Sequence, residues 1–439
     1  MKKKYRIILY TSIFLLCVVA SIILVVKKSN SVYEEESKPK VVKHKSMLSM
    51  NLEQTAGAGD YKTVTQSSWP TEGYKFNAEL SRCENGSTLS WDDTKKAVIM
   101  QGNVSDKCYV YFDIWIPSIA DYCTSGTDLA TCVKNFGDQG PSVSNIYIHN
   151  SSLTNGAGDN SYRYAGANPN NFVCFGSDTS PCPTDNLYRI IGVFGENYHG
   201  VTGKQLVKLI KYDYMTTDEL GTDGDYSQTY KEWGMDSTYK GTYGDGERIG
   251  VYYWNYKATG SATNTWSTSL LNKTNLNTNF INNIGTTWAN KIATVTWKVG
   301  GNTYANISDV VPATTYQNEI VNPVTTNTTD NATTYSAKIG LMYVSDYGFA
   351  ASPDAWTLTM SSYNNTTATN NNWMYMGLYE WTISRDADDS FYAFCVDNDG
   401  SVNGNLVNDY NGVRASFSLE SSVSYVSGSG SMSDPIVIN

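Results

Sequence analysis

The sequence predicts a mostly β, α+β protein with an N-terminal transmembrane helix, a small β-sandwich-like domain and a larger α+β domain. Three observations carry this. Twenty uncharged residues, Ile7 to Val26, follow Lys2, Lys3, Lys4 and Arg6. From residue 46 onward, short runs with a two-residue apolar period recur between Gly, Asn and Asp turns. Farther along, hydrophobic elements alternate with long polar loops, which sets variable surface on a fixed scaffold. The expected organisation is cytoplasmic flank and anchor 1–26, tether 27–45, small β domain 46–117, connecting segment 118–159 and C-terminal domain 160–439.

At ~1.5 Å per residue the apolar span reaches ~30 Å, one bilayer core. Leu16 before Cys17 is a poor lipoprotein signal. Val18-Val19-Ala20 fits a cleavage site, but six more uncharged residues, five of them apolar, follow it, so an uncleaved signal-anchor is favoured over a cleaved signal peptide. The basic flank then stays in the cytoplasm, and the C-terminal mass lies outside the cell membrane. Lys27 to Lys45 is charged, carries Pro39 and has no apolar period, as a tether requires. Residues 1–45 hold ten of the 32 basic and three of the 42 acidic residues, leaving 22 and 39 beyond: +7 near the membrane and −17 outside. Such an acidic exterior repels phosphate backbones and argues against nucleic acid as a partner.

Cys17 lies in the apolar span, and seven cysteines follow. Local spacing suggests structural disulfides Cys83–Cys108, Cys123–Cys132 and Cys174–Cys182, consistent with an oxidising exterior, with Cys395 left as a small buried hydrophobe. Zinc is the alternative for the two shorter pairs. It lacks third and fourth ligands, and His44, His149 and His199 are scattered.

In the small domain, strands are expected at Tyr74–Leu80, Thr88–Trp91, Ala97–Met100 and Cys108–Trp115, with Tyr109, Phe112 and Trp115 in the core. Its size makes a disulfide staple valuable. Ser118 to Phe136 is a loosely periodic helical patch. Leu187–Val193 and Gln205–Tyr212 read as a hairpin. Residues 213–265 form a long loop rich in aromatics (Tyr226, Tyr230, Trp233, Tyr239, Tyr243, Tyr252, Tyr253, Trp254, Tyr256), which pin the loop or face a partner. Leu276, Phe280, Ile284 and Trp288 make a helical stripe with Thr274 or Asn275 as cap. Ile292, Val295 and Trp297 alternate as a strand, Ile339–Val344 reads as a short buried strand, and 322–334 and 363–372 read as exposed loops. Trp381-Thr382-Ile383-Ser384-Arg385 alternates as a half-buried strand, Phe391–Val396 is denser and central, and Asn398-Asp399-Gly400 supplies a tight turn before Gly412-Val413-Arg414.

The Trp-x-Ile-Ser-Arg strand, the aromatic strand ending at Asp397-Asn398-Asp399-Gly400 and the Gly-Val-Arg strand resemble the core of the C-type-lectin-like domain of bacterial surface proteins of unassigned function. Asn186–Gly192, Trp266–Phe280, Lys338–Tyr347 and Ser421–Ile438 fall in the same order, so the resemblance covers about residues 160–439. It implies a fold, and a fold does not assign a function. The related formylglycine-generating fold uses a cysteine pair, and here only Cys395 stands in the region, so no activity carries over.

No nucleophile triad is legible, since none of the three His sits in a motif. Glu380, Asp386, Asp388, Asp389, Asp397 and Asp399 offer paired carboxylates, which keeps a carbohydrate-active hydrolase as the alternative. A calcium loop with spaced carboxylates and a closing Glu is missing around Asp397–Asp399, and no metal or cofactor is expected. The favoured function is an anchored extracellular binding or adhesion protein for a glycan or protein ligand; a non-binding structural surface protein is a further alternative. In the lectin-like arrangement, loops 386–390 and 398–405 would lie close together, with Asp386, Asp388, Asp389, Asn398 and Asn403 as ligand-binding residues, while Trp381, Phe391 and Phe417 build the core and Arg385 is a satisfied structural charge.

Overall fold

The computed structural model describes residues 48–439 apart from 66–67, 71, 104, 228–239, 242–248 and 324–331. The apolar span 7–26, the tether and the aromatics Tyr230, Trp233, Tyr239 and Tyr243 lie outside the described residues. No helix among the described residues is long and apolar enough to cross a membrane. Strand outweighs helix. The described residues form two compact units, divided between Ile116 and Pro117.

The first unit contains β1 (Leu48–Glu53), β2 (Tyr61–Val64), β3 (Tyr74–Phe76), β4 (Arg82–Cys83), β5 (Thr88–Asp92), β6 (Ala97–Gln101) and β7 (Cys108–Ile114). One sheet runs β2-β1-β7-β3, with β4 also on β7. The alternation in β7 buries Cys108, Val110 and Phe112, and the last two meet Met50 and Leu52 of β1. Leu89 and Trp91 of β5 and Val98 of β6 pack onto that face, with the Trp91 ring edge-on to Phe112 at 5.7 Å. The sequence did not reveal β1, which runs parallel to β7 from Leu48 opposite Cys108 to Leu52 opposite Phe112. Cys83 and Cys108 face each other across the β4–β7 pair and are disulfide-bonded.

In the second unit the helix Leu129–Gly137, capped by Asp128, buries Leu129, Cys132, Val133 and Phe136 in the core. Residues 118–159, expected as a connector, are therefore part of this unit; they also supply β8 (Ile146–Ile148). β9 (Tyr162–Tyr164), β10 (Phe172–Cys174), β11 (Leu187–Phe194) and β12 (Leu206–Lys211) follow, and β11–β12 is the expected antiparallel pair. At Gly192 a Cβ would fall 2.2 Å from the Tyr162 carbonyl, so glycine is what lets β9 approach. A second sheet contains β13 (Tyr226–Ser227) and β14 (Val251–Tyr252). β15 (Val295–Lys298) pairs with β16 (Thr334–Ala337), and β17 (Ile339–Gly340) returns to the main sheet. β18 (Glu380–Arg385), β19 (Tyr392–Val396), β20 (Val402–Leu406) and β21 (Asn411–Gly412) complete the second sheet in the order β13-β14-β21-β18-β19-β20. β22 (Ser416–Ser418) closes the main sheet, ordered β17-β22-β12-β11-β9-β8 with β10 on β11. The chain ends in the pair β23 (Tyr425–Ser427) and β24 (Val437–Ile438).

Several local expectations change. β18 is buried on both faces: the Thr382 hydroxyl donates to the Phe394 carbonyl and the Ser384 hydroxyl to Glu319, so the polar positions are satisfied inside. Phe391 precedes β19 and is 43% exposed, whereas Trp381 and Phe417 are fully buried. Helical turns start at Leu271, and Asn275 is no cap; its amide donates to the Leu220 carbonyl. The expected strand 339–344 is a strand only at β17, and the helix Val344–Ala350 follows. Residues 364–367 and 370 are exposed as expected, but Tyr363, Ala368 and Asn372 are buried around the short helix Thr366–Thr369 and anchor the segment. Cys123–Cys132 and Cys174–Cys182 are bonded, and Cys395 is free and buried.

Candidate functional site

A cavity of about 640 Å³ opens in the second unit, lined by Asp159, Glu196, Lys298, Tyr316, Gln317 and Ile320 among others. Four segments build it. Asp159 stands just before β9. Glu196 begins the short helix Glu196–His199, which ends on Gly200 at φ 72°; a Cβ there would strike Thr296 of β15 at 2.6 Å. Lys298 ends β15. Tyr316 closes the helix Pro312–Tyr316, started by Pro312 after the extended Val311, and Gln317 and Ile320 continue in the wider turns Gln317–Val321.

Asp159 is the fixed point of this wall. Its carboxylate accepts from the Ser161 amide at 3.0 Å and hydroxyl at 2.5 Å, and from Arg163 Nη2 at 2.8 Å. Burial would raise its pKa, but Arg163, Ser161 and the Tyr316 hydroxyl outweigh burial and hold it at about 2. Burial and the Asp159 charge push the Tyr316 phenol far up, so it stays a neutral donor.

Behind the wall lies a water-excluded charge chain. Arg163 is 1% exposed, with its guanidinium carbon 4.7 Å from the Phe194 ring centre and 5.2 Å from that of Tyr316. Its Nη1 has no hydrogen-bond partner among the described residues and lies 3.6 Å from Asp346 Oδ1. Asp346, in the first turn of Val344–Ala350, accepts from Lys208 Nζ at 2.7 Å and from the Tyr343 amide at 3.0 Å on Oδ2, and from the Tyr198 hydroxyl on Oδ1. Burial lowers the Lys208 ammonium against the opposing pull of Asp346. Glu319 accepts from the Val344 and Ser345 amides at that helix start, yet burial still pushes its carboxyl up to about 7. His149 is buried with Nδ1 accepting from the Ala157 amide; burial, then Arg163, push it well down, so it is neutral.

The residues expected to bind ligand are not brought together. β18 and β19 are antiparallel, so loop 386–390 joins them at one end of β19, while the turn 397–401 joins β19 to β20 at the other. Five residues at ~3.4 Å each put about 17 Å between the two ends. Asp386 is buried, its carboxyl accepting from the Asp388 amide, and Asp389 accepts from the Phe391 amide. Asn398 offers its carbonyl to the Tyr375 hydroxyl, and Asn403 reaches Asp397 at 3.5 Å. The Asp386, Asp389 and Asn403 side chains shape their own loops. Arg385 Nε donates to the Val299 carbonyl and the Asp386 charge favours its guanidinium, while Nη2 has no hydrogen-bond partner among the described residues. Of the loop aromatics, Tyr252 and Trp254 are core, the pinning alternative.

Sequence reasoning missed Asp159, Glu196, Lys298, Tyr316 and Gln317, because they come from segments that no motif links. The Asp159-x-Ser161-x-Arg163 alternation was the one local signal. Compared with known proteins, the chain matches no family model, no curated protein and no solved structure.

Proposed function

We propose that this is a membrane-anchored extracellular binding protein whose second unit is a C-type-lectin-like module, and that the ligand seats in the cleft of Asp159, Glu196, Lys298, Tyr316 and Gln317. The observation that carries the reading is that cleft: carboxylate, ammonium and amide groups beside Ile320, on elements braced by a buried charge chain. Such a mixture hydrogen-bonds hydroxyls and packs on apolar ring faces, which suits a neutral glycan. Three disulfides support an oxidising exterior. Late strand β22 pairing with β12 supports a single scaffold from which long connections carry variable surface. The hydrolase alternative has two carboxylates in one cleft; Asp159, held ionised at about 2, would serve there as base or nucleophile and leave the proton-donor role to Glu196.

The test is a glycan array with the soluble chain lacking residues 1–45, followed by titration of the best hit. Glu196→Ala combined with Gln317→Ala should weaken binding about tenfold, two hydrogen bonds at ~1 kcal/mol less entropy gains. Asp388→Ala with Asn403→Ala should leave it unchanged. The reverse outcome would move the site to the loops.

A further inference from the structure

Lys208 and Asp346 do not belong to the cleft, and their placement goes beyond any binding function. Both are at most 1% exposed, 138 residues apart in sequence, and in contact at 2.7 Å. The Nζ sits 4.3 Å from the Tyr343 ring centre and 4.9 Å from those of Tyr198 and Trp297, a dry aromatic enclosure. We propose that this pair condenses into a side-chain amide, Lys208 Nζ to Asp346 Cγ, which covalently ties β12 to the helix Val344–Ala350.

Every atom the step needs is in place. Cγ is one covalent bond beyond the contacted Oδ2, so a small rotation brings Nζ within the ~3–3.5 Å of a reacting pair. The Tyr198 oxygen accepts from Nζ at 3.0 Å, and its hydroxyl donates to Asp346 Oδ1, which makes it a proton relay between the two ends of the reaction. The ammonium passes one proton through Tyr198 to Oδ1, leaving a neutral amine and a carboxylic acid. Burial lowers the Lys208 ammonium, which favours release of that first proton. The amine lone pair adds to Cγ, and charge builds on Oδ2, which the Tyr343 amide holds at 3.0 Å. Arg163 Nη1, without a hydrogen bond among the described residues and 3.6 Å from Oδ1, faces the same centre. Nζ then sheds its second proton along the same relay, the Cγ–Oδ1 bond breaks, and Oδ1 leaves as water. Ammonium plus carboxylate become amide plus water, with no oxidant, nucleotide or other reactant. The enclosure that excludes water also disfavours the reverse hydrolysis.

The experiment is intact mass spectrometry of the wild-type chain, reduced and denatured, with proteolytic mapping. The expected mass is lower than the sequence mass by one water, with a branched peptide joining the segments that contain residues 208 and 346. A full sequence mass overturns the proposal, as does a lost water that maps anywhere else. Lys208→Arg should restore the full mass. Tyr198→Phe keeps the ring packing, and freshly made protein should show at least tenfold less of the branched species; condensation at the wild-type rate overturns the relay.

Discussion

Trp381 and Phe391 lie ten positions apart, and sequence patterning gave both to the core. Trp381 is fully buried and its indole N–H donates to the Tyr252 carbonyl at 2.8 Å, so it fastens β18 to β14. Phe391 is 43% exposed because the chain there is still leaving the loop that Asn264 fixes. Trp381→Ala should therefore cost about 3–5 kcal/mol, a large-to-small change in a packed site plus a lost donor. Phe391→Ala should stay within about 0.5 kcal/mol. Urea unfolding of the two variants separates them, and equal losses would show that Phe391 has a core role.

The loop between β18 and β19 shows how an element can be held by a residue far away in sequence. The Asn264 amide N–H groups reach the carbonyls of Asp386, Asp389 and Tyr392 at 2.7–2.8 Å, and its backbone N–H donates to the Ser390 carbonyl. Asn264→Ala should cost about 1–3 kcal/mol and speed hydrogen exchange at the Asp388 and Phe391 amides. Unchanged protection would mean that the carboxyl turns hold the loop alone. Elements of this kind set the limit of what the sequence discloses. The β11–β12 hairpin, β5, β6, β7 and β19 were legible, because a two-residue period and flanking turn residues are local signals. β1 was not, since its partner β7 lies some sixty residues on and a parallel pairing leaves no local mark. The middle of Tyr363–Asn372 is exposed as its polarity suggests, but its two ends are not legible as buried: the Tyr363 hydroxyl donates to the Gly348 carbonyl and Asn372 to that of Tyr347, which satisfies them inside. The cleft was illegible for the same reason: its residues meet only after four segments have packed.

At the scale of the whole molecule, the buried carboxyls make stability depend on pH in two separate windows. The folded pKa of Glu319 is raised from 4.5 to about 7, so its contribution is full below pH 4.5 and is lost as pH rises through 7, on the order of 3 kcal/mol. Asp159 runs the other way: lowered from 3.8 to about 2, its contribution is present above 3.8 and lost as pH falls through 2. Glu319→Gln should flatten the decline in unfolding free energy between pH 4.5 and 7; a slope equal to the wild type's would assign it to other groups. The pairing of β12 with β22 bears on how such a molecule comes into being. Lys208 of β12 stands opposite Ser418, and Ile210 opposite Ser416, so the middle of the main sheet waits for residues some two hundred positions later. A ribosome releases the chain in order, at about 5–20 residues per second, so β12 is synthesised many seconds before its neighbour exists. During that interval one edge of a strand that ends up buried along its whole length, two lysines included, has no partner, and the main sheet cannot close until residues 416–418 have been made.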